Sequence, residues 1–276
     1  MRRQDVRRRQ LIEIEDQAWC PTAVRDGLTD YLQFISDRTE PYAAAARLLA
    51  DALRVPADGP ASQPPVSVVD LGSGAGGPWR RLVRRLADAG VPVRVRLTDL
   101  HPNVAAFDQL ARETAGAVAG DPRSVPADAV PDDLTGFRTI FTAFHHFPPP
   151  VARRVLADAV ARGEGIAVFE STTRNALCLF IMLLVPHVVW LVTPFIRPFR
   201  WPRLLLTYLL PVIPTVAFVD GVVSCLRTYT PDELRELAES VDGATGYAWT
   251  AGHAGGGPIP MTYLLGLPVR REGAVP

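Results

Sequence analysis

Apolar positions change their period several times along the chain, and those changes divide it. Leu28, Tyr31, Leu32 and Ile35 recur at i, i+3, i+4 and i+7, and Tyr42, Ala46, Leu49 and Leu53 repeat the spacing, so the first sixty residues read as helical. The stretch VPADGPASQPP (55–65) is turn-rich and reads as a linker. Short apolar runs then alternate with helical faces. Residues 66–71 form a strand apolar on both sides, and Trp79, Leu82, Val83 and Leu86 line a helix that Gly90 stops. Val91, Val93, Val95 and Leu97 mark a second strand, 103–115 a second helix, and a weaker third strand lies near Val118. A fourth strand covers 137–144, a helix starts in the prolines at 148–150, and 166–170 is a fifth strand. Strands alternating with helices imply right-handed crossovers and a parallel sheet.

The last part of the chain has another pattern. Thr230, Pro231, Asp232 and Glu233 form a capping box with proline at the first helical position, which fixes a helix start. Leu234, Leu237, Ala238 and Val241 supply its buried face, and the runs 247–252 and 261–267 read as an antiparallel pair. Before this helix, residues 176–196 are 21 residues without a charge, and 204–219 add 16 more. The first run is long enough to span a membrane. The strands on either side belong to one sheet, however. A two-span hairpin would carry RPFRWPR (197–203), with three arginines, across the bilayer, and Pro186, Pro194, Pro211 and Pro214 interrupt both arms. The expectation is a helical cap over an apolar acceptor, combined with a homodimer interface. A shallow anchor with arginines among lipid headgroups is the less favoured reading.

Composition adds exclusions. Lys+Arg and Asp+Glu are 29 each over 276 residues, which speaks against general affinity for nucleic acid. Every basic residue is arginine; together with the many Ala, Gly and Pro this reflects GC-rich coding rather than function. Cys20, Cys178 and Cys225 are odd in number and in no metal-ligand spacing, so they read as core residues of a protein in a reducing cytoplasm. No apolar segment follows MRRQDVRRRQ, so no signal peptide is expected.

The strongest chemical signal is VVDLGSGAGG (68–77), a strand running into a glycine loop and then a helix. Gly72, Gly74 and Gly76 let backbone approach a ligand closely. Asp70 stands at the strand end, and Asp99 ends the next strand, where an acidic residue binds ribose hydroxyls in dinucleotide folds. A Rossmann dehydrogenase is one reading, but its G-x-G-x-x-G spacing fits only if Gly77 counts as the last glycine.

D-x-G-x-G-x-G after an apolar strand resembles motif I of the class I S-adenosylmethionine-dependent methyltransferases, and TDLHPN (98–103) resembles their second motif. The resemblance covers roughly 66–172 and 228–268. It implies an α/β fold: a doubly wound, seven-stranded, mostly parallel sheet with an antiparallel last strand. The N-terminal helices (1–60) would be a lid, 61–172 and 221–276 the core, and 173–220 the inserted cap. It further implies that Gly72, Ser73 and Gly74 lie against the methionine end of S-adenosylmethionine, that Asp70 organises the loop, and that Asp99 and Leu100 hold the nucleoside. Asp121 is expected near the adenine, with Asp128 less well aligned, and Thr142, Ala143 and Phe144 at the fourth strand's tip.

Methyl transfer from a sulfonium, leaving S-adenosylhomocysteine, needs alignment and water exclusion more than acid–base groups. His145 and His146 in FHHF (144–147) are candidate proton acceptors, and Glu170 at the fifth strand's end could orient a polar acceptor. Trp19, Tyr31 and Phe34 are candidates for the acceptor pocket. No His, Cys or carboxylate spacing suggests a metal. The expectation is an enzyme methylating a small hydrophobic acceptor (aromatic, indole-like, polyketide or prenyl) in bacterial specialised metabolism. The alternatives are a membrane-associated enzyme for a lipid or quinone-like acceptor, and a non-catalytic cofactor-binding protein.

Overall fold

The computed structural model describes residues 7–54, 64–256 and 259–269; most of the linker expected at 55–65 and the first six residues fall outside them. In chain order the elements are α1 (Thr22–Thr39), α2 (Ala43–Leu53), β1 (Val66–Leu71), α3 (Trp79–Asp88), β2 (Val93–Asp99), α4 (Val104–Glu113), β3 (Val118–Ser124), β4 (Phe137–Phe141), α5 (Pro149–Ala161) and β5 (Ile166–Glu170). The inserted segment follows as α6 (Ala176–Met182), α7 (Val185–Val192), α8 (Trp201–Leu204) with a π-helical turn over Leu205–Leu209, and α9 (Val212–Arg227). The chain returns through α10 (Pro231–Glu239) to β6 (Tyr247–Ala254) and β7 (Met261–Pro268).

The seven strands lie in the order β3-β2-β1-β4-β5-β7-β6. The first five pair in parallel, and β7 is inserted antiparallel to both neighbours, with Glu170 opposite Thr262. One face of the sheet is covered by Leu49, Trp79, Leu86 and Phe107 from α2, α3 and α4. The other is covered by Val155, Leu156, Leu234 and Ala238 from α5 and α10. Both faces are therefore dry, which is why β5 reads as an apolar run and why Arg138 of β4, buried there, is held by Asp158 and Glu164.

Local chemistry sets the helix starts. The Thr230 hydroxyl accepts from the Glu233 N–H at 3.2 Å and the Glu233 carboxylate accepts from the Thr230 N–H at 2.9 Å, satisfying two orphan donors. Asn103 caps α4 and Asn175 caps α6 with a single bond, each side-chain oxygen accepting from the N–H three residues on.

The structure departs from the expected elements in two places, and a third feature, the broken insertion, is the one its prolines imply. Residues 7–21 form no helix; they run as a strap over the protein, and α1 begins only after Pro21. The fourth strand ends at Phe141, because Thr142 takes φ 45° and Phe144–His146 forms a 3-10 turn. The inserted run is broken twice: α6 and α7 meet at 42°, and the α8 segment and α9 at 80°. Among the described residues no single helix is long and apolar enough to cross a membrane.

A third apolar cluster joins the insertion to α1, through Leu28, Tyr31 and Phe34 against Val189, Ile213 and Val216. The approach is close: a Cβ on Gly27 would lie 2.5 Å from Ile213 Cδ1. Beside it, Arg203 is 2 % exposed. Its guanidinium donates to Asp30 at 2.6 Å and to the Ile196 and Pro198 carbonyls at 2.8 and 2.7 Å. Cys178 and Cys225, distant in sequence, sit side by side and buried, joining α6 to α9.

Removing one partner of a buried ion pair strands the other charge. Asp30→Ala is therefore expected to lower unfolding free energy by about 3 kcal/mol or more in urea titrations, whereas Asp30→Leu combined with Arg203→Met recovers most of the loss.

Candidate active site

The C-terminal ends of β1, β2, β4 and β5 open onto a cavity of about 460 Å³, the edge of an α/β sheet at which ligands bind. The core side of its wall is the loop Gly72–Ser73–Gly74, then Asp99 and Leu100, Thr142 and Ala143, and Ser171. The facing wall comes from Thr29, Leu32, Gln33 and Ser36 of α1 and from Glu15 and Asp16 of the strap.

Asp70 builds the loop from beneath. It is buried, and its two carboxylate oxygens accept from Thr139 Oγ1 at 2.6 Å and Ser73 Oγ at 2.7 Å. Burial raises its pKa to about 6 against the pull of those hydrogen bonds. Gly72 and Gly74 take φ of 65° and 54°, a region that favours glycine. A Cβ at Gly72 would come within 3.0 Å of Ala143 Cβ, so the loop backbone itself forms the wall. Asp99 reaches across from β2 and accepts from the Gly74 N–H and the His101 N–H, both at 2.8 Å. Thr142 Oγ1 accepts from the Ser171 N–H at 3.0 Å and shares hydrogen bonds with the Ser171 and Tyr42 hydroxyls.

The two histidines separate. His145 is buried and lies off the cavity wall; its N–H and Nδ1 bond the two carboxylate oxygens of Glu170, at 3.0 and 2.8 Å. Glu170 thus holds His145 in place and does not line the cavity. His146 does reach the cavity. Its Nδ1 lies 2.7 Å from both Glu13 Oε2 and Asp16 Oδ1. Burial works against a charged ring, but the two carboxylates overcome it and hold the His146 pKa well above 6.5. At neutral pH His146 is therefore an imidazolium, a donor rather than the proton acceptor expected from the sequence. Glu15, also on the wall, is pushed up to about 7 by burial, over the opposing pull of His146.

Arg227 at the end of α9 ties these parts together. It donates to the carbonyls of His145 and His146 and lies 2.9 Å from Asp16 Oδ2 and 3.3 Å from Glu13 Oε2. Asp220, two turns earlier, accepts from the Ile14 and Glu15 N–H groups at 2.8 and 3.0 Å. Donor atoms of Glu13, His145 and His146 lie within 4.8 Å of one another, close enough for one metal ion. The Arg227 guanidinium already neutralises Glu13 there and would repel a dication.

Several expected site residues lie elsewhere. Asp121 is held by Arg123 at 2.7 Å and does not line the cavity, whereas Asp128, ranked below it, does. Phe144 is buried among Phe147 and Tyr229. Tyr31 and Phe34 face the insertion, and Trp19 is 70 % exposed off the wall. The helical spacing of α1 allowed either face to be the lining one, and Leu32 with Thr29 and Ser36 takes that place. No residue of 173–220 lines the cavity; the lid and strap cover it, and the insertion packs outside them. The strap's part was missed, although IEIED (12–16) is an acidic run inside an arginine-rich N-terminus.

No protein-family model matches the chain, and no curated protein matches it in sequence. Solved structures do. A Rhodobacter sphaeroides protein named as a Zn-dependent alcohol dehydrogenase superposes with TM-score 0.53 and 13% identity, covering 90% of this chain and 98% of its own. The citrinin polyketide synthase CMeT domain gives TM-score 0.52 and 13% identity over 93% of this chain and 59% of its own. A SAM-dependent methyltransferase from Aquifex aeolicus gives TM-score 0.50 and 12% identity over 87% and 98%. An antiparallel β7 between β5 and β6 distinguishes this sheet from the wholly parallel dinucleotide fold. The chain has the class I methyltransferase fold. At these identities the likeness fixes the methyltransferase fold and not the reaction, and the chain spans less than two thirds of some matched chains.

The raised pKa of His146 links the strap to pH. A group whose folded pKa exceeds its unfolded one stabilises the fold below the unfolded value, about 6.5, and loses that contribution as pH rises through the folded value. The melting temperature is expected to fall over that window. Asp16→Asn should flatten the fall and lower the His146 pKa read by NMR titration.

Proposed function

We propose that this protein is an S-adenosylmethionine-dependent methyltransferase acting on a small hydrophobic acceptor, in specialised metabolism. The observation that carries the reading is the juxtaposition, on one cavity wall, of the positive-φ Gly72–Gly74 loop and the Asp99 carboxylate at the next strand's tip. The residues fit the cofactor. The loop offers backbone without side chains for its amino-acid end, Asp99 an acceptor for ribose hydroxyls, and Leu100, Val125 and Pro126 an apolar wall. Of the wall carboxylates, Asp16 is paired with Arg227 and His146 and Asp128 with Arg154, while Asp99 bonds only backbone N–H groups among the described residues and keeps its negative charge for the ligand. That charge suits a sulfonium cofactor and opposes the pyrophosphate of a dinucleotide.

When bound, the cofactor supplies an activated methyl group. The chain's part is to align the acceptor and exclude water, which the α1 lid and the strap do by closing the cavity opposite the glycine loop. For an acceptor that must lose a proton, Glu15 is the wall group whose pKa of about 7 matches a general base at neutral pH. His146, charged, donates to the acceptor's oxygen or nitrogen. Leu32, Ile35 and Phe147 give the acceptor end an apolar lining.

Titration calorimetry tests the reading. S-adenosylmethionine is expected to bind, NAD not to, and Asp99→Ala to weaken binding ten- to a hundredfold, the loss of about 1.5–3 kcal/mol for a hydrogen bond to a charged group. Binding of NAD in preference to S-adenosylmethionine would sink the proposal. With an acceptor in hand, kcat/KM is expected to rise with an apparent pKa near 7, and Glu15→Gln to abolish that limb.

A further inference from the structure

With the cavity walled by α1 and the strap, the outer side of the insertion lines none of it, yet it is the most apolar surface among the described residues. Most of the large apolar side chains exposed among the described residues lie on it. They include Trp190, Leu191, Phe195, Trp201 and Leu209, with Leu191, Trp201 and Leu209 at 72, 75 and 72 % exposure. Such a concentration on one segment marks an interaction surface rather than ordinary scatter.

We infer that this face docks on a lipid bilayer, lying in the interface plane without spanning it. Charge identifies the occupant. Residues 171–219 contain no Asp or Glu. Of the segment's four arginines, Arg174 is paired with Glu233, Arg203 is turned inward onto Asp30 and Arg200 onto Asp26 and Asp30, while Arg197 stays exposed. The surface is thus apolar with a single free cation among its described residues, which complements anionic headgroups. A twofold contact of the same face would bury Arg197 against a copy of a segment that offers no carboxylate to pair it.

The side chains are also prepared for a medium without water. Trp190 Nε1 donates to the Thr207 carbonyl at 3.0 Å, and Tyr208 OH to the Trp190 carbonyl at 2.6 Å. Neither aromatic carries an unpaired donor into the acyl region, where an unsatisfied one costs several kcal/mol. Trp, Tyr and Phe on short helices are the residues that settle at headgroup depth. The breaks of 42° and 80° suit helices that lie along a surface.

Lipid docking goes beyond the methyl-transfer reading and does not depend on it. The test is co-sedimentation of the full chain, purified without detergent, with phosphatidylcholine vesicles with and without phosphatidylglycerol. The chain is expected to pellet with vesicles, more strongly with the anionic lipid. The triple variant Leu191→Glu, Trp201→Glu, Leu209→Glu is expected to bind about tenfold more weakly or less, since each substitution puts a carboxylate into the apolar layer. These positions are exposed, so the variant keeps its melting temperature and its S-adenosylmethionine binding. Failure of the inference and failure of the proposed function are therefore read separately. A chain that stays in the supernatant with both lipids would overturn the inference. So would a triple variant that pellets like the unmodified chain, or a discrete dimer in sedimentation velocity that ignores vesicles and is split by the triple variant.

Discussion

The outer wall of the cavity depends on one side chain, Arg227. Its guanidinium, carried at the end of α9, sits where the turn after β4 meets the strap, and both of these give it acceptors. The carbonyls of His145 and His146 close the 3-10 turn after β4 and accept no backbone N–H among the described residues. Left unpaired and buried they would each cost on the order of 1–3 kcal/mol. Arg227 satisfies them and holds Glu13 and Asp16 beside His146 with the same charge. The strap is fixed to the core through that arrangement, and Asp220 repeats the device two turns earlier on α9 by accepting two strap N–H groups.

This latch explains the division of labour between the histidines. His145 is screened from the cavity and locked by Glu170, so it serves the turn's geometry. His146 lies one residue on, between carboxylates, and carries a charge that faces the cavity. Two adjacent residues of one type thus take different roles from their partners alone, one in the turn's geometry and one at the cavity. Asp70 and Asp99 differ in a comparable way. One is buried and spent on Ser73 and Thr139 under the loop, while the other sits at the rim and shares its oxygens with backbone N–H groups along the wall.

The strands, their parallel order, the glycine loop with Asp70 and Asp99, and the Thr230 capping box were legible in the sequence. Each is a local pattern: an apolar period, a run of glycines, a cap three residues from its partner. Leu28, Tyr31, Leu32 and Ile35 show the limit of such patterns. Their spacing identifies a helix with an apolar stripe, but an apolar stripe packs equally well against a core or around a cavity. Only the position of the insertion assigned Tyr31 and Phe34 to packing and left Leu32 at the cavity. The same limit misplaced Asp121, whose neighbour Arg123 claims its carboxylate two residues along the chain.

The sequence by itself determined the sheet and the cofactor-type loop, because their causes act over a few residues. The tertiary structure alone decided what covers the cavity. Glu13 and Asp16 meet Arg227 across more than two hundred residues, and Asp30 meets Arg203 across 173, and nothing local to either partner encodes those meetings. They form because a charge buried by folding must find its opposite. Those pairings close the strap and α1 over the site, and they turn the apolar face of the insertion outward.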